Sequence, residues 1–169
     1  MKRRASKALH ENSVLHSFKK MLAMQGHSFK IVDKPDPPDA IVELDGIKSW
    51  VEITDAMFNK EYAKSIRAPH NLGPNRDPRG QEILEATDPT FEETVVNVVN
   101  KKYAKETIKN IYRKKGAGIL LVGLFSPFVD LDVINNLSKL VCEIVKSNDP
   151  RFNCIYFYDR AHNFYKVEI

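Results

Sequence analysis

The chain is poor in the residues and motifs that announce the commoner chemistries. Its two cysteines, Cys142 and Cys154, have no metal-ligand spacing and no histidine close in sequence, so they read as reduced and buried. No apolar run approaches the roughly 18 residues of a membrane-spanning helix. The basic start Met1-Lys2-Arg3-Arg4 leads into a polar amphipathic segment, where a secretory leader would have an apolar stretch. A cytoplasmic protein without a membrane partner is expected. There is no internal repeat, GxGxxG, Walker motif, CxxC pair or HExxH, which argues against dinucleotide binding, phosphate-loop ATPases and zinc sites as the main activity.

What is present fits a soluble α/β chain of one domain, residues 1–169, with 43% hydrophobic and 28% charged residues. The net charge of +4 is unevenly spread. Residues 1–30 hold seven Lys/Arg against one Glu, and residues 93–115 hold seven against two. Both stretches read as helices, so the basic charge gathers on two helices. That segregation favours a polyanion such as nucleic acid, and a solvated lysine-rich face is the plainer reading of either run.

The most informative stretch runs from Pro38 to Thr54. Asp45-Gly46 between β-rich runs is a strong hairpin signal, because both central residues of a type I′ turn need positive φ. With those two residues as the whole loop, Leu44 pairs with Ile47 and Asp39 falls opposite Glu52. Alternation then puts Asp39, Ile41, Glu43, Lys48, Trp50 and Glu52 on one face. Ala40, Val42, Leu44, Ser49, Val51 and Ile53 take the other, which is expected to be the core face. Glu43 opposite Lys48 is favourable, whereas Asp39 opposite Glu52 sets like charges together. A divalent cation would offset that repulsion, and hard oxygen ligands suit Mg²⁺. A slipped register, or carboxylates splayed into water, would do so as well.

Around this stretch the pattern predicts a first helix over 6–25, with Leu9, Val14, Leu15, Phe18, Met21 and Leu22 as its apolar stripe and Gly26 as its stop. A strand follows over 29–33, and the short segment 59–68 can be helical. Residues 69–90, with four prolines and with His70, Arg76 and Arg79, read as an irregular insertion, either a surface excursion or a substrate-contacting flap. A second helix is expected over 91–114, opened by a capping box at Thr90 and Glu93. Its apolar residues change face near Lys101 and Lys102. Then come a doubly buried strand at 117–124, a third helix over 130–147, and strands at 154–159 and 164–168.

Pro38-Asp39, followed by Glu52-Ile53-Thr54 at the end of the next strand, resembles the PD-(D/E)XK nuclease superfamily. The likeness covers nearly the whole chain except the irregular middle. It implies a restriction-endonuclease-like core: a helix, a three-stranded meander, a helix, a strand, a helix and two further strands in one mixed sheet. It further implies Mg²⁺ or Mn²⁺ as cofactor, held by Asp39, Glu52 and the Ile53 carbonyl, and a phosphodiester substrate, DNA or RNA. A homodimer is the assembly carried alongside. Glu11 on the first helix matches a glutamate that many members carry there, and it can equally sit on the solvated face. The departure is Thr54, where the superfamily pattern has lysine. The migrated-lysine form of the resemblance points to Lys101, Lys102 or Lys105 on the second helix. Neighbours on a helix point about 100° apart, and Lys102 follows the valine face, so Lys102 is the expected cation. The alternative is a catalytically inactive nuclease-like module that binds nucleic acid or protein.

Overall fold

The computed structural model describes residues 2–59 and 90–169. Helix α1 (Lys2–Met24) leads into three antiparallel strands, β1 (Phe29–Asp33), β2 (Ala40–Leu44) and β3 (Ile47–Met57). After the undescribed stretch come α2 (Phe91–Ala104), α3 (Glu106–Lys115), β4 (Gly118–Phe125), α4 (Leu131–Lys146), β5 (Phe152–Tyr158) and β6 (Phe164–Lys166). The described residues form an α/β fold with one six-stranded mixed sheet, whose spatial order follows chain order. β3, β4 and β5 run parallel, and β6 returns antiparallel to β5. The expected short helix at 59–68 and irregular insertion at 69–90 fall almost wholly outside the described residues.

The hairpin closes where the sequence places it. Asp45 and Gly46 carry φ of 50° and 81°, and the register runs from Leu44↔Ile47 to Ala40↔Val51. The Asp45 carboxylate accepts from the Ser28 amide at 2.8 Å and meets His27 Nδ1 at 2.8 Å, which ties this turn to the one entering β1.

Helices cover both faces of the sheet. Val14, Leu15, Phe18 and Leu22 of α1 pack on Ala40, Val42, Val51, Ile53, Ile119, Leu121, Tyr156 and Tyr158. On the other face Val95, Val99 and Tyr103 of α2, Ile108 of α3 and Leu137 and Val141 of α4 pack on Trp50, Leu120, Val122, Leu124, Ile155 and Phe157. The expectation of a single core face on the hairpin is therefore corrected. Trp50 is fully buried on the supposedly outer face, its indole N–H donating to the Gly116 carbonyl at 2.9 Å. Because β4 and β5 carry the sheet onward, both faces of β3 acquire helices.

Other boundaries move for identifiable reasons. β3 continues past Thr54 to Met57, because its parallel neighbour β4 pairs as far as Met57↔Phe125. The expected helix over 91–114 is two helices, broken at Lys105 (φ −76°, ψ 114°). The break lets the Val95/Val99/Tyr103 stripe and the Ile108 stripe, which lie on different helical faces, both meet the core. The capping box is present: Glu93 N–H donates to Thr90 Oγ1 and Thr90 N–H to Glu93 Oε2. Cys142 and Cys154 are free and only half-buried. No helix among the described residues is long and apolar enough to cross a membrane.

Candidate active site

Three carboxylates and three lysines gather where the entry to β2, the middle of β3 and two helices converge. Asp39 stands one step beyond the last hairpin pair and is buried. Its Oδ2 accepts from the Ile53 main-chain N–H at 2.7 Å, and Lys7 Nζ of α1 lies 3.6 Å from its Oδ1. Glu52, only 2% exposed, sits on the α2 side of the sheet. Lys102 Nζ donates to its Oε1 at 2.6 Å, and Lys105 Nζ lies 3.9 Å from the same oxygen. The other oxygen, Oε2, is buried without a hydrogen-bond partner.

Glu11 joins from α1. Lys7, one turn earlier, holds it at 3.1 Å and also approaches Asp36 at 3.4 Å. Burial and then the Asp39 charge push the Glu11 carboxyl above its ordinary value, only partly opposed by Lys7. Burial weakens the charge on Lys7, but the bond to Glu11 and the Asp39 charge outweigh it, so its ammonium is held more firmly than usual. Glu52 is pushed up by burial and next by Asp39, while Lys102 and Lys105 pull it back. Asp39 thus turns to helix α1 and Glu52 to helix α2, which corrects the expectation that alternation sets both on one hairpin face: the paired register ends at Ala40↔Val51, one step short of Asp39, although the Asp39 charge still acts on Glu52.

The positions named from sequence take different places. Asp39, Glu52, Glu11, Lys102 and Lys105 come together, and Ile53 contributes its main-chain N–H to Asp39. Lys101 is exposed and, among the described residues, makes no ion pair. Asp36, not among those positions, is exposed and among the described residues approaches the group through Lys7. Lys7 itself was missed, although its i, i+4 spacing to Glu11 was there to read.

A second polar group, also missed, lies beside the first on the α1 face. The Tyr158 hydroxyl donates to Asp55 Oδ1 at 2.5 Å, and His10 Nε2 lies 3.1 Å from Asp55 Oδ2 and 3.2 Å from the Tyr158 oxygen. His162, with φ of 59°, places its ring edge-on to Tyr158 and bonds Ser17 Oγ through Nδ1 at 2.8 Å. Burial, then the neighbouring carboxylates Asp55, Asp39 and Glu11, push Tyr158 far up, so it is a standing hydrogen-bond donor. Asp55 and Tyr158 meet over Gly123 of the intervening strand, where an added Cβ would lie 2.6 Å from Asp55 Oδ1. A glycine inside the apolar run of β4 was the available signal.

Comparison with family models, curated proteins and solved structures returned no match. Among the described residues no group of three or more His, Cys, Asp and Glu side chains is assembled as a metal cage. Mg²⁺ does not require one, since it is commonly held by one or two carboxylates with water and substrate phosphate completing the shell. The buried, unpartnered Oε2 of Glu52, and the upward pull on Glu52 and Glu11 that persists beside the lysines, mark carboxylate charge that a hard cation would satisfy.

Proposed function

We propose that this is a metal-dependent nuclease with the restriction-endonuclease-like arrangement, hydrolysing phosphodiester bonds of DNA or RNA. The observation that carries the reading is Glu52: a deeply buried carboxylate beside Asp39, with one oxygen on the Lys102 ammonium and the other without a partner. Asp39 and Glu52, with the Ile53 carbonyl, would hold Mg²⁺ or Mn²⁺. The ion, when bound, lowers the pKa of a coordinated water and steadies the leaving oxygen.

The chain's own groups supply the rest. Lys102 brings to the Glu52 face the positive charge that Thr54 lacks, where it can stabilise charge developing on the phosphate. The Ile53 N–H fixes one oxygen of Asp39 and so orients its carboxylate. Lys7 and Lys105, about half-exposed, flank the buried pair from α1 and from the α2–α3 break, positions suited to phosphate contacts on either side.

A second reading has its own support. Glu11, Asp39 and Glu52 are matched by Lys7, Lys102 and Lys105, so the group is formally neutral without a metal. That balance, with Thr54, favours a catalytically inactive nucleic-acid-binding module. The deciding experiment measures cleavage of single- and double-stranded DNA and RNA with Mg²⁺ and with Mn²⁺, for the parent, Asp39→Asn and Glu52→Gln. Metal-dependent cleavage by the parent alone supports the nuclease. Salt-sensitive binding with no cleavage under any condition replaces it with the module.

A further inference from the structure

Arg151, in the turn before β5, is a charged side chain only 4% exposed. Such burial is costly unless the charge is paired and hydrogen-bonded. Its Nε and Nη2 bond the two oxygens of Asp149, both at 2.8 Å. Its Nη1 donates to the Tyr103 carbonyl at 2.6 Å, and the guanidinium lies 5.3 Å from the centre of the Tyr103 ring. Tyr103 is the second-last residue of α2 and the one after Lys102.

The α2–α3 break has no local cause. Residues 100–106, Asn-Lys-Lys-Tyr-Ala-Lys-Glu, contain neither glycine nor proline and would carry a helix through. In an unbroken helix the Tyr103 carbonyl would accept from the Thr107 N–H. Arg151 takes that carbonyl instead, and a cation at a helix C-terminus is favoured by the aligned peptide dipoles. The chain turns at Lys105, and both Lys102 and Lys105 reach Glu52 from their side of the break.

We propose that Arg151 is a positioning residue for Lys102: by holding the Tyr103 carbonyl it ends α2 at Ala104 and sets the Lys102 ammonium on Glu52. Only the catalytic arm of the test below rests on the nuclease reading. Arg151→Met is the main variant. Asp149→Asn is the second, because Asp149 is partly exposed and its loss frees the guanidinium without emptying a buried site.

Two readouts need no activity. The ¹⁵Nζ resonance of Lys102, assigned with Lys102→Met, should lose its hydrogen-bonded, slowly exchanging character. The Thr107 amide should become at least tenfold better protected from hydrogen exchange as α2 runs on into α3. If Arg151→Met does not fold, Asp149→Asn should show the same two changes in reduced measure. In the cleavage arm Arg151→Met should lower kcat about as much as Lys102→Ala does, roughly a hundredfold or more, with KM unchanged. It should cause no further loss in the Lys102→Ala background. Unaltered Lys102 and Thr107 signals in a folded variant overturn the proposal whether or not the parent cleaves. A parent that never cleaves removes the nuclease reading and leaves the spectroscopic arm to decide on Arg151.

Discussion

Replacing Lys102 by methionine keeps the aliphatic stem and removes the ammonium 2.6 Å from Glu52 Oε1. Breaking a buried ion pair by deleting one partner commonly costs about 3–5 kcal/mol. The ceiling is lower here, because Glu52 can take up a proton. Protonating a carboxyl of ordinary pKa 4.5 at neutral pH costs about 3 kcal/mol, at about 1.4 kcal/mol per pH unit. Burial and Asp39 already hold Glu52 above that value, and Lys105 remains 3.9 Å away to share the charge. The expected loss at neutral pH is therefore about 1–3 kcal/mol. Its pH dependence has a definite sign. A folded-state pKa raised above the unfolded one stabilises the fold fully below the unfolded value, and that contribution is lost as pH rises through the folded value. Removing Lys102 raises the folded value of Glu52 further. Parent and variant should therefore converge in stability as pH falls toward the ordinary carboxyl value and diverge as it rises through neutral. Urea unfolding across that range measures the gap, and Glu52→Gln should abolish it. A stability difference that stays constant with pH would refute the reasoning, as would a variant more stable than the parent at neutral pH.

In cleavage assays Lys102→Ala should reduce the Mg²⁺-dependent rate about a hundredfold or more while calorimetry still finds metal bound. Equal cleavage by Lys102→Ala and the parent would remove Lys102 from the mechanism. Binding to DNA or RNA should weaken steeply with added salt, since the basic faces of α1, α2 and α3 displace phosphate counterions. A flat response would leave nucleic-acid binding without its physical basis. Gly123→Ala puts a methyl 2.5 Å from the Phe125 ring and 2.6 Å from Asp55 Oδ1, and should cost about 1–3 kcal/mol in thermal or urea unfolding. An unchanged midpoint would mean that the Asp55–Tyr158 contact is not tightly held. Thr90→Ala should cost about 1 kcal/mol through loss of the capping box at the start of α2, and a neutral result would count against that cap.

Local chemistry made part of this architecture readable. Asp45-Gly46 fixed one hairpin register by its need for positive φ, and Thr90 with Glu93 marked a helix start. Because neighbours on a helix point apart, the valine face of α2 told Lys102 from Lys101, and Lys102 is the one that bonds Glu52. The unread features are those in which a distant residue decides. The break at Lys105 is tied to Arg151, whose bond to the Tyr103 carbonyl spans 48 residues. Trp50 looked outward because the hairpin alone has an open face, and α2, α3 and α4 close it. Asp55 fell beyond the expected strand end at Thr54, and its partners, His10 and Tyr158, come from the two ends of the chain. Lys7 was hidden in a basic run whose composition gave no hint that one of its members reaches a buried carboxylate.

The sheet order has a consequence for biosynthesis. Because each strand lies next to its predecessor, the hairpin carrying Asp39 and Glu52 can pair while the rest of the chain is still being made. The lysine that neutralises Glu52 is 50 residues downstream. At about 5–20 residues per second, the hairpin waits roughly 3–10 s on the ribosome before Lys102 emerges. During that interval Lys7, already made, is the only lysine of the group at hand, and the nascent hairpin carries two neighbouring carboxylates without their second cation. Early docking of α1 on β1 to β3 would bring Lys7 to Asp39, and arrival of α2 then both covers Trp50 and delivers the charge that settles Glu52.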